Sequence, residues 1–274
     1  MNNIVVPVDF SDASYNAANY AAMLSNIFNA KIILVHAYMN PSAIDETPAH
    51  LLNRPEKELR EIKGDQLNEY IEILRKKYTI RIEGVVREGA ATPEILDVSN
   101  SENADLIVMG MKGKGKSNSV FGSNTTLVMR KSSIPVLVIP EKVKFENIEV
   151  VTLASDFDAE TELSNYSLLT KIALKNKAFI QILNVRKKDE QLSTDEMSGK
   201  INTALAFKNL KHKFYTIKDD EVDEGIEDFL EDHPSDLLAM VARKRNLFER
   251  IFKASHTRRM SYETEIPLLV LQDK

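Results

Sequence analysis

Short apolar runs alternate along the chain with longer segments whose apolar positions recur at helical spacing. The first run is Ile4-Val5-Val6-Pro7-Val8. From Asp12 to about Phe28, residues Ala17, Ala18, Ala21, Ala22, Leu24 and Ile27 fall on one face of a helix. Ser11 or Asp12 supplies the N-cap, because a short side-chain oxygen accepts from the open N–H groups of a first turn. Lys31 to Val35 gives a second strand, and a loop with Pro41, Pro48 and Pro55 leads into a charged helix from Glu56 to Tyr78. Ile80 to Val86 is a third strand, Pro93 to Asn100 a short helix, and Asp105 to Met109 a fourth strand. A helix around Asn124 to Arg130 precedes the fifth strand, Pro135 to Ile139. Strands this apolar cannot face water on either side, so the pattern predicts a parallel sheet covered by helices on both faces.

The order then repeats. Glu149 to Leu153 leads to Asp156, as the first strand leads to Asp9. Ala178 to Leu183 matches the second strand, Asp236 to Met240 matches Asp105 to Met109, and Ile266 to Val270 matches Ile134 to Val138. The second copy is shorter, mainly because it lacks the Pro-containing loop. Each copy is domain-sized, which predicts a tandem duplication with a boundary in the polar stretch Glu141 to Glu146.

Composition narrows the chemistry. The chain has 274 residues, 43% hydrophobic and 28% charged, which is the balance of an ordinary folded protein. With no cysteine, disulfides, thiolate metal sites and a cysteine nucleophile are excluded. A net charge of −5 gives no electrostatic case for specific nucleic-acid binding. The N-terminal residues lack a basic region followed by a small-residue cleavage site, and no apolar run reaches the roughly 18–20 residues of a membrane helix. The expected location is the cytoplasm, with no membrane partner. The five histidines have no ligand-spaced partners, so no metal site made by the protein alone is indicated.

The chemical feature is a glycine cluster. Four of the nine glycines lie between positions 110 and 122, in Gly110-Met-Lys112-Gly113-Lys-Gly115-Lys116-Ser117 and Gly122-Ser123-Asn124. Glycine lets backbone approach a ligand, and a helix beginning at Gly122-Ser123 presents N–H groups to an anion. Two readings compete. Gly110-x4-Gly115-Lys116-Ser117 satisfies the Walker A pattern, in which lysine reaches the outer phosphates and serine binds Mg²⁺. It follows the fourth strand, however, where a P-loop follows the first.

The other reading is a resemblance. Val5-Val6-Pro7-Val8-Asp9-Phe10-Ser11, Leu34-Val35-His36-Ala37, Ala104 to Gly110 and Ser133 to Val138 resemble successive strands of the universal stress protein family. Gly110-x2-Gly113 followed by Gly122-Ser123 resembles its ATP-binding signature, with eight residues between Gly113 and Gly122 where the pattern has nine. The resemblance implies an α/β fold of two tandem Rossmann-like domains, of the adenine nucleotide alpha hydrolase-like kind. Each would be a five-stranded parallel sheet with helices on both faces. It implies that Asp9 and Ala37 line an adenosine pocket, with Pro7 shaping the strand end. Met109 and Gly110 would flank ribose and phosphates, and Gly113, Gly122, Ser123 and Asn124 would hold phosphate. Asp9 reads equally as a turn or cap residue, and Pro7, Ala37 and Met109 as packing.

In the second half Ala242, Arg245 and Ala254 replace the three glycines, so this half is expected not to bind ATP in the family manner. The basic run of Arg243, Lys244, Arg245, Arg250, Lys253, Arg258 and Arg259 reads either as an anion- or partner-binding face or as a solvated helix face. The expected function is a stress-response module. Residues 1–142 would form a domain binding ATP or AMP, with or without Mg²⁺, and residues 146–274 a degenerate second domain. Two alternatives stand beside it. One is a slow ATPase or phosphotransferase using Lys112, Lys116 and Ser117 with Mg²⁺, and the other is a ligand-free interaction scaffold. No residue presents itself as catalytic. The partners expected are the adenine nucleotide and a protein of unspecified identity, with a homodimer also open.

Overall fold

The structure is a computed structural model that describes residues 1–40, 56–111, 123–242 and 266–273. The chain divides into two units, Met1–Phe145 and Glu146–Lys274.

In the first unit the elements run β1 (Asn3–Pro7), α1 (Asp12–Phe28), β2 (Lys31–Tyr38), α2 (Glu56–Lys77), β3 (Arg81–Glu88), α3 (Ala91–Ser101), β4 (Leu106–Met111), α4 (Ser123–Lys131) and β5 (Val136–Pro140). The second unit runs β6 (Val150–Ala154), a 3-10 turn (Leu163–Tyr166) into α5 (Ser167–Asn176), β7 (Phe179–Arg186), α6 (Thr194–Ala206), β8 (His212–Lys218), α7 (Val222–Asp232), β9 (Leu237–Ala242) and β10 (Leu268–Gln272). Among the described residues no helix is long and apolar enough to cross a membrane.

The expected pair of separate five-stranded sheets is corrected. The ten strands form one sheet in the order β3-β2-β1-β4-β5-β10-β9-β6-β7-β8. The physical reason lies in which strands can tolerate an open edge. β5 and β10 are buried at every position, and a buried apolar strand with unpaired N–H and C=O groups makes a poor edge. The strands at the ends of the order are β3 and β8. Their side chains are largely polar and mostly exposed or half-buried, with Arg81, Glu83, Arg87 and Glu88 on one and His212, Lys213 and Lys218 on the other. Within each unit the pairings are parallel, as the apolar runs predict.

The inner strands supply the core. Ile4, Val5, Val6, Ile33, Leu34, Leu106, Ile107 and Val108 are fully buried in the first unit. Val151, Leu153, Ile180, Ile182 and Ala239 are fully buried in the second. α1 buries Ala13, Ala17, Ala18, Ala21 and Ala22, a small-residue face that lets its backbone lie close to the sheet.

Each unit is tied at the start of its inner strands by the same device. Asp105 Oδ2 accepts from the backbone N–H groups of Asn2 and Asn3, at 2.5 and 3.3 Å. Asp236 Oδ2 accepts from those of Glu149 and Val150, both at 2.8 Å. Asp236→Ala is expected to cost about 1 kcal/mol, read as a lower urea midpoint by circular dichroism. An unchanged midpoint would mean that water replaces both bonds without loss.

Candidate functional site

In the first unit the chain lays β2 and then β3 on one side of β1, and returns to place β4 on the other side. The crevice beyond the carboxyl ends of β1 and β4 is therefore a switch point of strand order, where doubly wound sheets hold their ligands.

Pro7 closes β1 opposite Val35, and the next amide, of Val8, donates to the Val35 carbonyl at 2.8 Å. The chain then turns sharply. Asp9 is exposed, and its Oδ1 accepts from the Ser11 amide at 3.0 Å and the Ser11 hydroxyl at 2.5 Å. Phe10 is left-handed, with φ 62°, a costly conformation for an aromatic residue that the turn over-determines. Ser11 is the N-cap of α1, accepting from the Ser14 amide. Asp9 is thus a turn residue whose carboxylate also stands at the crevice.

Ala37 is half-buried near the end of β2 and pairs with Arg87 of β3. Met109 is buried in β4 opposite Val138, and Gly110 lies opposite Ile139. A β-carbon on Gly110 would stand 2.3 Å from the Ala13 carbonyl oxygen and 3.0 Å from the Ser14 amide nitrogen. Only glycine lets the first turn of α1 sit against β4, and this seating brings the Asp9 turn beside the end of β4. The Gly110 carbonyl also accepts from the Thr125 hydroxyl at 3.3 Å, which fixes the first turn of α4 to the same point. Asn124 is exposed in that turn, and its Oδ1 accepts from the Thr92 hydroxyl of α3 at 3.2 Å.

Pro7, Asp9, Ala37, Met109, Gly110 and Asn124 therefore stand at the carboxyl ends of β1, β2 and β4 or in the first turn of α4. Gly110 lies against the first turn of α1, which follows the turn that carries Asp9. Ser123 opens α4. Gly113, Gly122, Lys112, Lys116 and Ser117 lie outside the described residues, as does the basic run from Arg243 to Arg259.

Sequence reasoning missed Thr92 and Thr125, which link the starts of α3 and α4 to the site; no motif marks either. His36 Nδ1 donates to the Val8 carbonyl at 2.8 Å and its ring lies 4.5 Å from Phe10, but its Nε2 is buried without a partner among the described residues. Burial pushes the His36 imidazole below its usual range, opposed by the bond to Val8 and the nearby Asp9 carboxylate and aided by Lys63. The neutral ring is thus a strut under the Asp9 turn.

The second unit builds the same turn with different chemistry. Register places Asn184 where His36 stands, Val185 where Ala37 stands and Arg186 where Tyr38 stands. The Asn184 amide donates to the Ser155 carbonyl at 2.7 Å, as His36 does to Val8, and Phe157 is left-handed at φ 54°. Ala242 ends β9 in place of the first glycine, while Arg245 and Ala254 lie outside the described residues. Among the described residues no group of three His, Asp or Glu side chains stands in a metal-binding arrangement.

A family model described as "Universal stress protein family" matches residues 1–140. Universal stress protein Sll1654 from Synechocystis is 34% identical over 139 residues, 50% of this chain and 84% of that protein. Universal stress protein MJ0531 from Methanocaldococcus jannaschii is 29% identical over 142 residues, 52% of this chain and 83% of that protein. The crystal structure of a universal stress protein from Archaeoglobus fulgidus matches with a TM-score of 0.72 and 16% identity, over 100% of this chain and 99% of that one. At that identity the likeness is one of fold, and it extends over both units.

Proposed function

The chain belongs to the universal stress protein family, and on that premise we propose that its N-terminal unit binds an adenine nucleotide, ATP or AMP, as a stress-response signal. The observation that carries this reading is the joint at Gly110. It seats the first turn of α1, which follows the exposed Asp9, and the start of α4 against the end of β4 at one strand-order switch, the place where a nucleotide would rest. Asp9 would accept from the nucleoside, and the amides around Gly113, Gly122 and Ser123 would receive the phosphates, with Mg²⁺ screening them where ATP is bound.

We read the chain as a tandem of two family domains, residues 1–142 and 146–274. The repeated aspartate ties, left-handed phenylalanines and strand-end carbonyl bonds support this. The second copy is degenerate, because Val185 stands at the position of Ala37 and Ala242 stands in place of glycine. A module of this kind passes its liganded state to a protein partner or to a second copy of the chain. Sizing with and without ATP distinguishes these.

The test is direct. Denaturing the purified chain should release adenine nucleotide detectable by mass spectrometry, and calorimetry should give one site per chain. Asp9→Ala should weaken binding about tenfold, or about 1.4 kcal/mol. No released nucleotide together with no calorimetric binding would leave a ligand-free scaffold, and two sites per chain would contradict the degenerate second copy. Steady ATP hydrolysis lost in Lys116→Ala would replace the signal reading with an enzymatic one.

A further inference from the structure

On α6 the large apolar side chains face away from the core. Met197, Ile201 and Leu205 follow one another at four-residue intervals, so they form a line along successive turns, and each is half or more exposed. We propose that this line is the contact surface for a second copy of the chain, with two α6 helices packed antiparallel about a twofold axis through Ile201.

The orientation of α6 is fixed by its other face. The buried positions are Gly199 and Thr203, half a turn round the helix from the apolar line. A β-carbon on Gly199 would stand 1.9 Å from the Phe157 carbonyl oxygen, so backbone is seated on backbone there. The Thr203 hydroxyl lies 3.4 Å from that of Tyr166, and Glu196 is held by Arg186 at 2.7 Å. Rotating Ile201 inward would drive a branched side chain into the place of the glycine. The core of its own unit therefore cannot absorb the line.

Single apolar side chains on a surface are ordinary, whereas a contiguous line marks an interaction site. The flanking positions Ser198, Asn202 and Ala204 are uncharged. Lys200, the one charged residue of the helix beyond Glu196, has its ammonium 4.9 Å from the centre of the Phe214 ring and 5.9 Å from that of Phe157. α2 holds the same place in the first unit, between the second and third strands, and shows the opposite surface. Glu69, Glu72, Arg75 and Lys76 are exposed along it.

Charge selects the occupant and its direction. Asp195 lies in the first turn of α6 and Lys208 just past its end, and both are exposed. Reversing one helix on another about Ile201 sets Met197 against Leu205 and Ser198 against Ala204. It also brings Asp195 level with Lys208 of the other copy to within about 1.5 Å, the rise of one residue. Opposed helix dipoles add to the match. A parallel pair would set Asp195 on Asp195 and Lys208 on Lys208. The face is thus complementary to its own reverse, the isologous arrangement of a closed twofold dimer, and this favours a second copy over an unrelated protein.

Size sets the strength. The 13 residues of α6 give about 20 Å of helix, and one helix from each copy falls short of the roughly 1,200–2,000 Å² of a stable complex. The dimer is accordingly weak and concentration-dependent. It does not require nucleotide in the N-terminal unit, and the measurement is made without nucleotide, so either reading can fail alone.

The chain contains no cysteine, so one introduced thiol reports one contact. Ile201→Cys should oxidise to a covalent dimer on a non-reducing gel, because this position faces itself across the axis. Ile73→Cys, at an exposed position on α2, should stay monomeric. Sedimentation velocity of the native chain from about 10 μM to about 1 mM should show the mass rising from one chain toward two. Ile201→Asp should weaken this association by at least about tenfold, with an unchanged circular dichroism spectrum. Asp195→Lys and Lys208→Asp should each weaken it about threefold, and the two together should restore it. The proposal is overturned if the native chain stays monomeric at the highest concentration, or if Ile201→Asp associates as well as the native chain. It is equally overturned if the two thiol variants cross-link alike, or if the double charge exchange is no stronger than the single changes.

Discussion

Gly110→Ala should destabilise the chain by about 3 kcal/mol, the upper range for forcing extra volume into a packed interior. The new methyl would lie 2.3 Å from the Ala13 oxygen and 2.5 Å from its carbonyl carbon. Both are backbone atoms in the first turn of α1, so no side chain can rotate away. Relief requires the helix to lift, and the helix is held by a row of buried alanines whose value depends on close approach. The same lift displaces the turn of Asp9, so nucleotide affinity should fall together with stability. Urea denaturation followed by circular dichroism measures the first effect and calorimetry the second. A loss under 1 kcal/mol would show that α1 is not seated on this glycine.

Glu196→Ala should cost about 2 kcal/mol at neutral pH, less than the roughly 3–5 for breaking a fully buried pair, because the Glu196 side chain is 30% exposed. The substitution removes the 2.7 Å bond to Arg186 and leaves that guanidinium buried with one partner fewer. It also removes half of a reciprocal cap, in which Ser193 accepts from the Glu196 amide and Glu196 accepts from the Ser193 amide. Partial burial pushes the Glu196 carboxyl up, but the Ser193 donors and Arg186 outweigh it and hold the group below its ordinary value of 4.5. A carboxyl lowered on folding stabilises the protein above its unfolded value, and that stability is lost as the pH falls through the folded one. The gap between the native chain and Glu196→Ala should therefore be full at pH 7 and narrow well below pH 4.5. A gap that stays constant on acidification would remove Glu196 from the account.

Much of the fold is legible in the sequence where burial is two-sided. β1, β2, β4 and β5 are built on apolar runs, and their expected limits fall within three residues of the observed ones. β8 carries no such signal. Its residues His212 to Lys218 alternate between half-buried and exposed, as an edge strand requires, so it lacks the apolar run that marks the inner strands. α6 is obscured for a different reason. Met197, Ile201 and Leu205 recur at helical spacing yet are 55%, 60% and 50% exposed, while the buried positions are Gly199 and Thr203. Periodicity there points away from the packed face. At the site, the glycine pattern locates Gly110 but suggests only ligand approach. The reason it must be glycine is a contact with Ala13, nearly a hundred positions away, which no local pattern records.

The aspartate ties at the strand starts have a consequence larger than their strength. β1 reads Ile4-Val5-Val6, buried on both faces, so a slip of one residue against β4 would exchange one apolar side chain for another. Where only one face is buried, a slip turns the whole pattern inside out and the error is rejected. Here hydrophobicity scarcely tells the registers apart. Asp105 does, because its carboxylate meets the amides of Asn2 and Asn3 only when Ile4 lies opposite Leu106. Asp236 does the same for β6 across 86 positions of chain. A bond worth little in the folded balance thus acts as an index mark, and carries the information that a uniformly apolar strand cannot hold for itself.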